Sequence, residues 1–472
     1  MLTKFKNNIS IIFLTISLIV FSYVIFRAEF IHEGQKLIFY TKYYIISIIL
    51  IFFSVLSFFI NKKIKYKIAI LFSFFFILLY SIEIILLGNL ALIEFKRNIH
   101  LENYAKKKNY NVDEDQPFKK NKFNAYRVLK EKYKNLALAI DPYHFLKVPK
   151  QTIMPLSSLS NVKTLQCNQL GYSNIYQTDR FGFNNQDMNW DKNFIDFFIL
   201  GSRYAQGDCV HQSKNIAGNI NSLTGLTAIN VGYGGSGPLM NYAILREYLP
   251  ISKTKRVVWL YSESSDLSGV KNIEGLTEEL KNDILNNYLL DLDFSQNLIM
   301  RQNEIDEIVY SKMNKMTLSV DMALKQNKLF KFLKFSRIRN EILKIYNSIN
   351  EKNLATLQIL SPEFKDILIK SKEFAEVNNA RFYFVYLTEN HRYKNEKFNK
   401  KKHDYENLIN FIERYNINLI NIHKELFENH DNPLSLFAPN IKKNETTHYN
   451  EEGYTLVSET ILKKINDFEK LN

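Results

Sequence analysis

The sequence predicts an α/β fold: a three-layer sandwich on a parallel sheet with a helical insertion, preceded by three transmembrane helices. Three observations predict it. Residues 1–97 of the 472 consist mainly of long apolar runs punctuated by lysines. From residue 194 onward, short apolar segments closed by Gly or polar residues alternate with helical spacing, the pattern of parallel crossovers. Residues 277–374 show helical spacing alone, too long for one crossover, and are expected to form an insertion capping the sheet.

Ile9–Phe26, Tyr43–Ile60 and Ile68–Leu87 are each long enough, at about 1.5 Å per residue, to cross a hydrocarbon core of about 30 Å. No small-residue cleavage site follows Phe26, where the chain continues Arg27-Ala28-Glu29, so the first run reads as an uncleaved anchor. Glu83 is the one acid inside these runs, and near a helix end it reads as a side chain snorkelling to the interface. Lys4 and Lys6, with Lys62, Lys63, Lys65 and Lys67 between the second and third runs, outweigh Arg27, Lys36 and Lys42, which Glu29 and Glu33 dilute. The expected arrangement is N-terminus inside, with residues 98–472 on the far side. In a bacterium that is a multi-pass protein of the inner (plasma) membrane with a periplasmic or extracytoplasmic main domain, its first partner the lipid bilayer.

The formal charge of +14 does not indicate nucleic acid, because half of it lies within residues 1–97. Lys106-Lys107-Lys108 reads as part of a helical juxtamembrane stalk over 98–150, with helices near 93–107 and 125–137, facing anionic lipid. The sequence has no zinc-type Cys/His spacing, Walker loop or internal repeat, so no metal and no cofactor is expected. Its two cysteines, Cys167 and Cys209, lie in the exported part, where a disulfide is the expected state. Two buried free thiols are the alternative.

Residues 148–190 are rich in Ser, Asn and Gly and are expected as loops over the domain edge. Phe194–Leu200 is then a short apolar run closed by Gly201, which suits a buried parallel strand. Further strands are expected at Thr227–Val231, Arg256–Tyr261, Ala380–Leu387 and Asn418–Ile422, with helices at His211–Leu223 and Leu239–Leu249 between the first three. The loop Asn230–Pro238 is glycine-dense, and glycine lets backbone N–H groups approach a substrate oxygen closely.

Strand–Gly201-Ser202-Arg203-x-x-x-Gly207, the Gly232/Gly235 loop, the strand end Ser262-Glu263-Ser264-Ser265-Asp266 and Glu445-x-x-His448-Tyr449-Asn450-x-x-Gly453 fall in that order. Together with Thr178-Asp179-Arg180-Phe181-Gly182-Phe183-Asn184-Asn185 they resemble a bacterial membrane-anchored family similar to the SGNH/GDSL hydrolases. The resemblance implies a flavodoxin-like sandwich with its site at the C-terminal strand ends. It also implies a serine nucleophile where this chain has Arg203, with Ser202 one residue early, and an oxyanion hole drawn from Gly235, with Gly232 and Asp266 nearby. The family's asparagine would stand at Ser265, and Glu445 would orient His448 as general base.

With the serine and asparagine matches both lost, the expected function is a catalytically degenerate, membrane-anchored exported protein that binds an envelope glycan or another anionic ligand, with Arg203 as its cation. An active ester hydrolase or O-acyltransferase on envelope polysaccharide, using Ser202, His448 and Glu445, is the second reading. An acylated glycan or envelope-assembly proteins are the expected partners, and a purely structural role in such an assembly is a third reading.

Overall fold

The computed structural model describes residues 2–31, 37–107, 122–146, 148, 151–168, 173–262, 276, 278–325, 328–353, 361–394, 402–438 and 448–471. Two compact units emerge, Met1–Ala91 with Lys328–Leu343, and Leu92–Asn327 with Lys344–Asn472.

The larger unit is built on strands β4 (Ile195–Gly201), β5 (Ala228–Asn230), β6 (Thr254–Ser262), β7 (Arg381–Leu387) and β8 (Asn418–Asn421). They pair in parallel in the order β5-β4-β6-β7-β8. Numbered within this sheet, that is the doubly wound 2-1-3-4-5 order. Successive side chains of a strand face opposite ways, and the core follows that alternation. Phe198, Leu200, Val257, Trp259, Phe382 and Phe384 belong to one apolar cluster, Phe197, Ile199, Val258, Leu260, Tyr383 and Val385 to the other. Both faces are covered, which is why the strands read as continuous apolar runs.

A second sheet, absent from the sequence expectation, joins β1 (Leu136–Leu138), β2 (Lys163–Cys167) and β3 (Asn174–Gln177), β1 parallel and β3 antiparallel to β2. The expected stalk over 98–150 is corrected accordingly. Its helix near 125–137 is Lys122–Lys132, followed by β1, and Ala125, Tyr126, Leu129 and Leu136 are buried in the main core. The expected helix near 93–107 is the far end of one continuous helix. The loops expected over 148–190 contain β2 and β3.

Helices α1 (Leu2–Ile25) and α2 (Leu37–Leu56) of the smaller unit, and α3 (Lys62–Lys107), which begins in it, are long and apolar enough to cross a membrane. Serines let α1 and α2 approach closely: Ser17 Oγ lies 2.7 Å from Ser54 Oγ, and Ser10 Oγ donates to the Ser57 carbonyl at 3.2 Å. The expected insertion divides. Part of it, Lys328–Leu343, belongs to the smaller unit, where it packs on α3. The Arg337 guanidinium lies 3.1 Å from Glu83, which is fully buried, so Glu83 is a paired acid and does not snorkel.

Candidate functional site

β4 delivers the chain to the expected turn. Gly201, its last residue, has φ +146°, and a Cβ there would stand 2.5 Å from the Leu260 carbonyl on β6, so glycine is required by close approach as well as by dihedral. Ser202 precedes a single helical turn, Arg203–Gln206, which Gly207 ends in the left-handed conformation at φ +80°. The turn buries Ser202 and exposes Arg203. Burial of the guanidinium works against its charge, but Asp208, Tyr204, Glu389 and Asp141 outweigh this and hold its pKa above the ordinary arginine value.

The glycine loop lies against this turn. A Cβ on Gly232 would meet the Ala205 Cβ at 2.2 Å, and the Gly232 N–H donates to Asn230 Oδ1 at 2.7 Å. That amide is spent inside the loop, which removes Gly232 from the expected oxyanion set. The Gly234 N–H donates to Gln206 Oε1 at 2.9 Å. The exposed Gly235 has φ +88° and retains an N–H with no partner among the described residues.

Asp141, which sequence reasoning missed, stands directly beside it, its Cβ 2.7 Å from where a Gly235 Cβ would be. Although the residue as a whole is exposed, its carboxyl is desolvated and its pKa raised, with Lys122 and His144 pulling the other way. In its ionised form this side chain repels an oxyanion developing at Gly235.

His448 is buried, and its Nδ1 lies 2.8 Å from the Tyr449 carbonyl. A carbonyl only accepts, so Nδ1 carries the proton and Nε2 is the ring's acceptor. A triad histidine has this tautomer, with the carbonyl in the place expected for Glu445. The ring of Tyr204, two residues past Ser202, is 4.7 Å from that of Tyr449. The two segments therefore meet, but no hydrogen bond joins Ser202 to His448. Glu445, Ser265 and Asp266 lie outside the described residues.

The strand ends add groups that the sequence did not single out. Ser262, ending β6, donates to Glu389 Oε1 at 2.6 Å, and Thr388, Glu389 and Asn390 after β7 are all buried. Three polar residues directly after an apolar strand, at the end where such sheets bind ligands, were the available signal.

The leader loop is a clamp. Asp179 accepts from the Phe181 and Phe183 amides, Asn185 Nδ2 and Trp190 Nε1, and burial pushes its pKa up to about 6. Asn185 exchanges two 2.7 Å bonds with the Asn230 backbone, and Asn184 Nδ2 donates to the Gln206 carbonyl at 2.8 Å. These two asparagines hold both the glycine loop and the Arg203 turn. The sulfurs of Cys167 and Cys209 stand at bonding distance, 2.04 Å, linking β2 to the segment behind that turn.

No protein-family model matches this sequence, and no curated protein does either. Among solved structures the chain is similar to a protein assigned to the lipolytic G-D-S-L family from Desulfitobacterium hafniense DCB-2. The identity is 11% and the TM-score 0.30, over 57% of this chain and 98% of that one.

Proposed function

We propose that this chain is a membrane-anchored, exported protein that binds an envelope glycan through the strand-end face around Arg203 and does not hydrolyse it. The observation that carries the reading is the turn after β4, which exposes Arg203 and buries Ser202. A guanidinium is protonated at any accessible pH and cannot attack a carbonyl. The carboxylates near Arg203 favour a neutral, hydroxyl-rich ligand over an anionic one. Asp141, Asp208 and Glu389 already offset its charge, whereas vicinal hydroxyls can donate to carboxylates and accept from the guanidinium at once. Gly235 and Asp141 form the rim. Residues 98–472 lie on the extracytoplasmic side in this reading, which rests on the lysine asymmetry of the N-terminal loops.

The tautomer of His448 keeps one alternative in view, an ester hydrolase or O-acyltransferase with Ser202 as nucleophile, His448 as base and Glu445 as its orienting acid. The test treats full-length protein with a fluorophosphonate probe and an acetylated polysaccharide, following labelling, acetate release and retention of the polymer. Expected are no labelling, no release, and retention weakened at least about tenfold by Arg203→Ala, as loss of a charge-assisted contact implies. Labelling that vanishes in Ser202→Ala would replace this reading with the hydrolase.

A further inference from the structure

Helices α4 (Lys122–Lys132), α5 (Arg203–Gln206), α6 (Ile216–Thr224), α7 (Pro238–Tyr248), α8 (Asp283–Leu290) and α9 (Gln302–Lys325) precede the segment in question, which comprises α10 (Lys328–Leu333) and the start of α11 (Ser336–Asn353). This segment belongs to the unit that holds the apolar spans, although it is more than two hundred residues distant in sequence. Three sets of contacts fix it there. The ring of Tyr80 on α3 lies 5.2 Å from Phe332, stacked, and 4.5 Å from Phe335. Lys334 Nζ donates to Tyr23 on α1 at 2.5 Å. Glu83 accepts from the Arg337 and Ile338 amides at 3.1 and 3.0 Å and from the Arg337 guanidinium at 3.1 Å, closing the first turn of α11.

We infer that Lys328–Leu343 is a second membrane-contacting element, a short helical pair lying in the interface of the leaflet at the far end of α3, with lipid acyl chains and anionic phosphate groups as its partners. Depth supports this. At about 1.5 Å per residue, Tyr80 and Glu83 lie roughly 6–10 Å inward of Leu87, where the apolar run ends. Interfacial helices bury their apolar face to about 5–10 Å. The flanking α3 residues Ile77, Ile84 and Ile85 are 65%, 57% and 61% exposed, so α3 at this level presents an apolar surface.

The segment's own surface matches. Leu333, Ile342 and Leu343 are 48%, 59% and 50% exposed, far more than isolated apolar side chains in water would favour as a group. Lys331 and Arg339 are exposed beside them, the pattern of a basic amphipathic segment meeting acidic headgroups. Glu83 makes sense in the same terms. An acid inside a span is costly, and here it ends in a cation and two helix N–H groups.

The inference is independent of the ligand reading above. Full-length Leu333→Trp and Ile342→Trp proteins are reconstituted in phosphatidylcholine vesicles, with or without phosphatidylglycerol, whose acyl chains are brominated near the carbonyl end. The native Trp190 and Trp259 give the baseline. Emission added by either new tryptophan should fall at least twofold in brominated vesicles. Lys331→Gln/Arg339→Gln on the Leu333→Trp background should lessen that fall only where phosphatidylglycerol is present. Two variants guard against one misfolding. If both new tryptophans emit as brightly in brominated as in plain vesicles, the segment does not meet the bilayer and the inference is overturned. Quenching indifferent to phosphatidylglycerol would overturn its phosphate component.

Discussion

Glu279 and Glu83 each sit buried against the first turn of a helix, yet they are kept there differently. Glu279 accepts from the Gly237, Leu239 and Met240 amides at the start of α7, at 3.0 to 3.4 Å. No cation pairs with it among the described residues, and burial pushes its pKa up to about 7. Glu83 accepts from two amides at the start of α11 and also from the Arg337 guanidinium. A desolvated carboxylate can be made tolerable by a proton or by a counter-ion. The sheet-bearing unit uses the first device and the unit of long apolar helices the second: there the insertion brings Glu83 the cation that the apolar run around it does not supply.

Arg337→Gln leaves Glu83 buried without its cation and should destabilise the seat of Lys328–Leu343 by about 3–5 kcal/mol. Chymotryptic cleavage at Phe332 or Phe335 of the full-length protein in micelles should rise accordingly, and unchanged cleavage would show that the ion pair contributes nothing.

Next in size is the pH response of Glu279. An acid whose folded pKa is raised keeps its proton in the native state where the unfolded chain has lost it. Its relative stabilisation is therefore present below about 4.5 and lost as pH rises through about 7. The difference in stability between wild type and Glu279→Gln should fall by about 3 kcal/mol over that window. Asp179, raised to about 6, should add a similar loss between 3.8 and 6 that only Asp179→Asn removes. A flat difference in urea titrations would mean that each carboxyl titrates in the folded protein as it does in the unfolded chain.

Smaller is the cost of Glu279→Gln itself at pH 7, about 1–3 kcal/mol, since one carboxylate oxygen facing the Leu239 amide becomes a donor. The smallest effect belongs to Glu83→Gln with Arg337→Gln. Removing both charges should leave a loss of about 1 kcal/mol, well below either single change, and additive losses would contradict the pairing.

Much of the fold was legible. β4 was expected at Phe194–Leu200 and is Ile195–Gly201, and β7 was expected at Ala380–Leu387 and is Arg381–Leu387. Strands covered on both faces must be apolar throughout, and that requirement is written locally. The three apolar helices were legible for the same reason, although helices need not stop where apolar runs do: α3 continues to Lys107. β1 was not legible, being three residues whose only strand partner among the described residues begins at Lys163.

The candidate site divides along the same line. Sequence order alone placed Arg203 after β4, Gly235 after β5 and His448 before the last helix, because each follows or precedes an element with its own periodic signature. Tertiary structure alone decided that Ser202 turns inward, that Asp141 stands against Gly235, and that Glu279 closes a helix forty residues before it. It also decided that Arg337 meets Glu83 across a separation of 254 residues. Apolar periodicity is a property of neighbouring residues and survives in the sequence. The partner of a buried polar group is chosen by which distant segments pack together, and nothing in the local pattern records that choice.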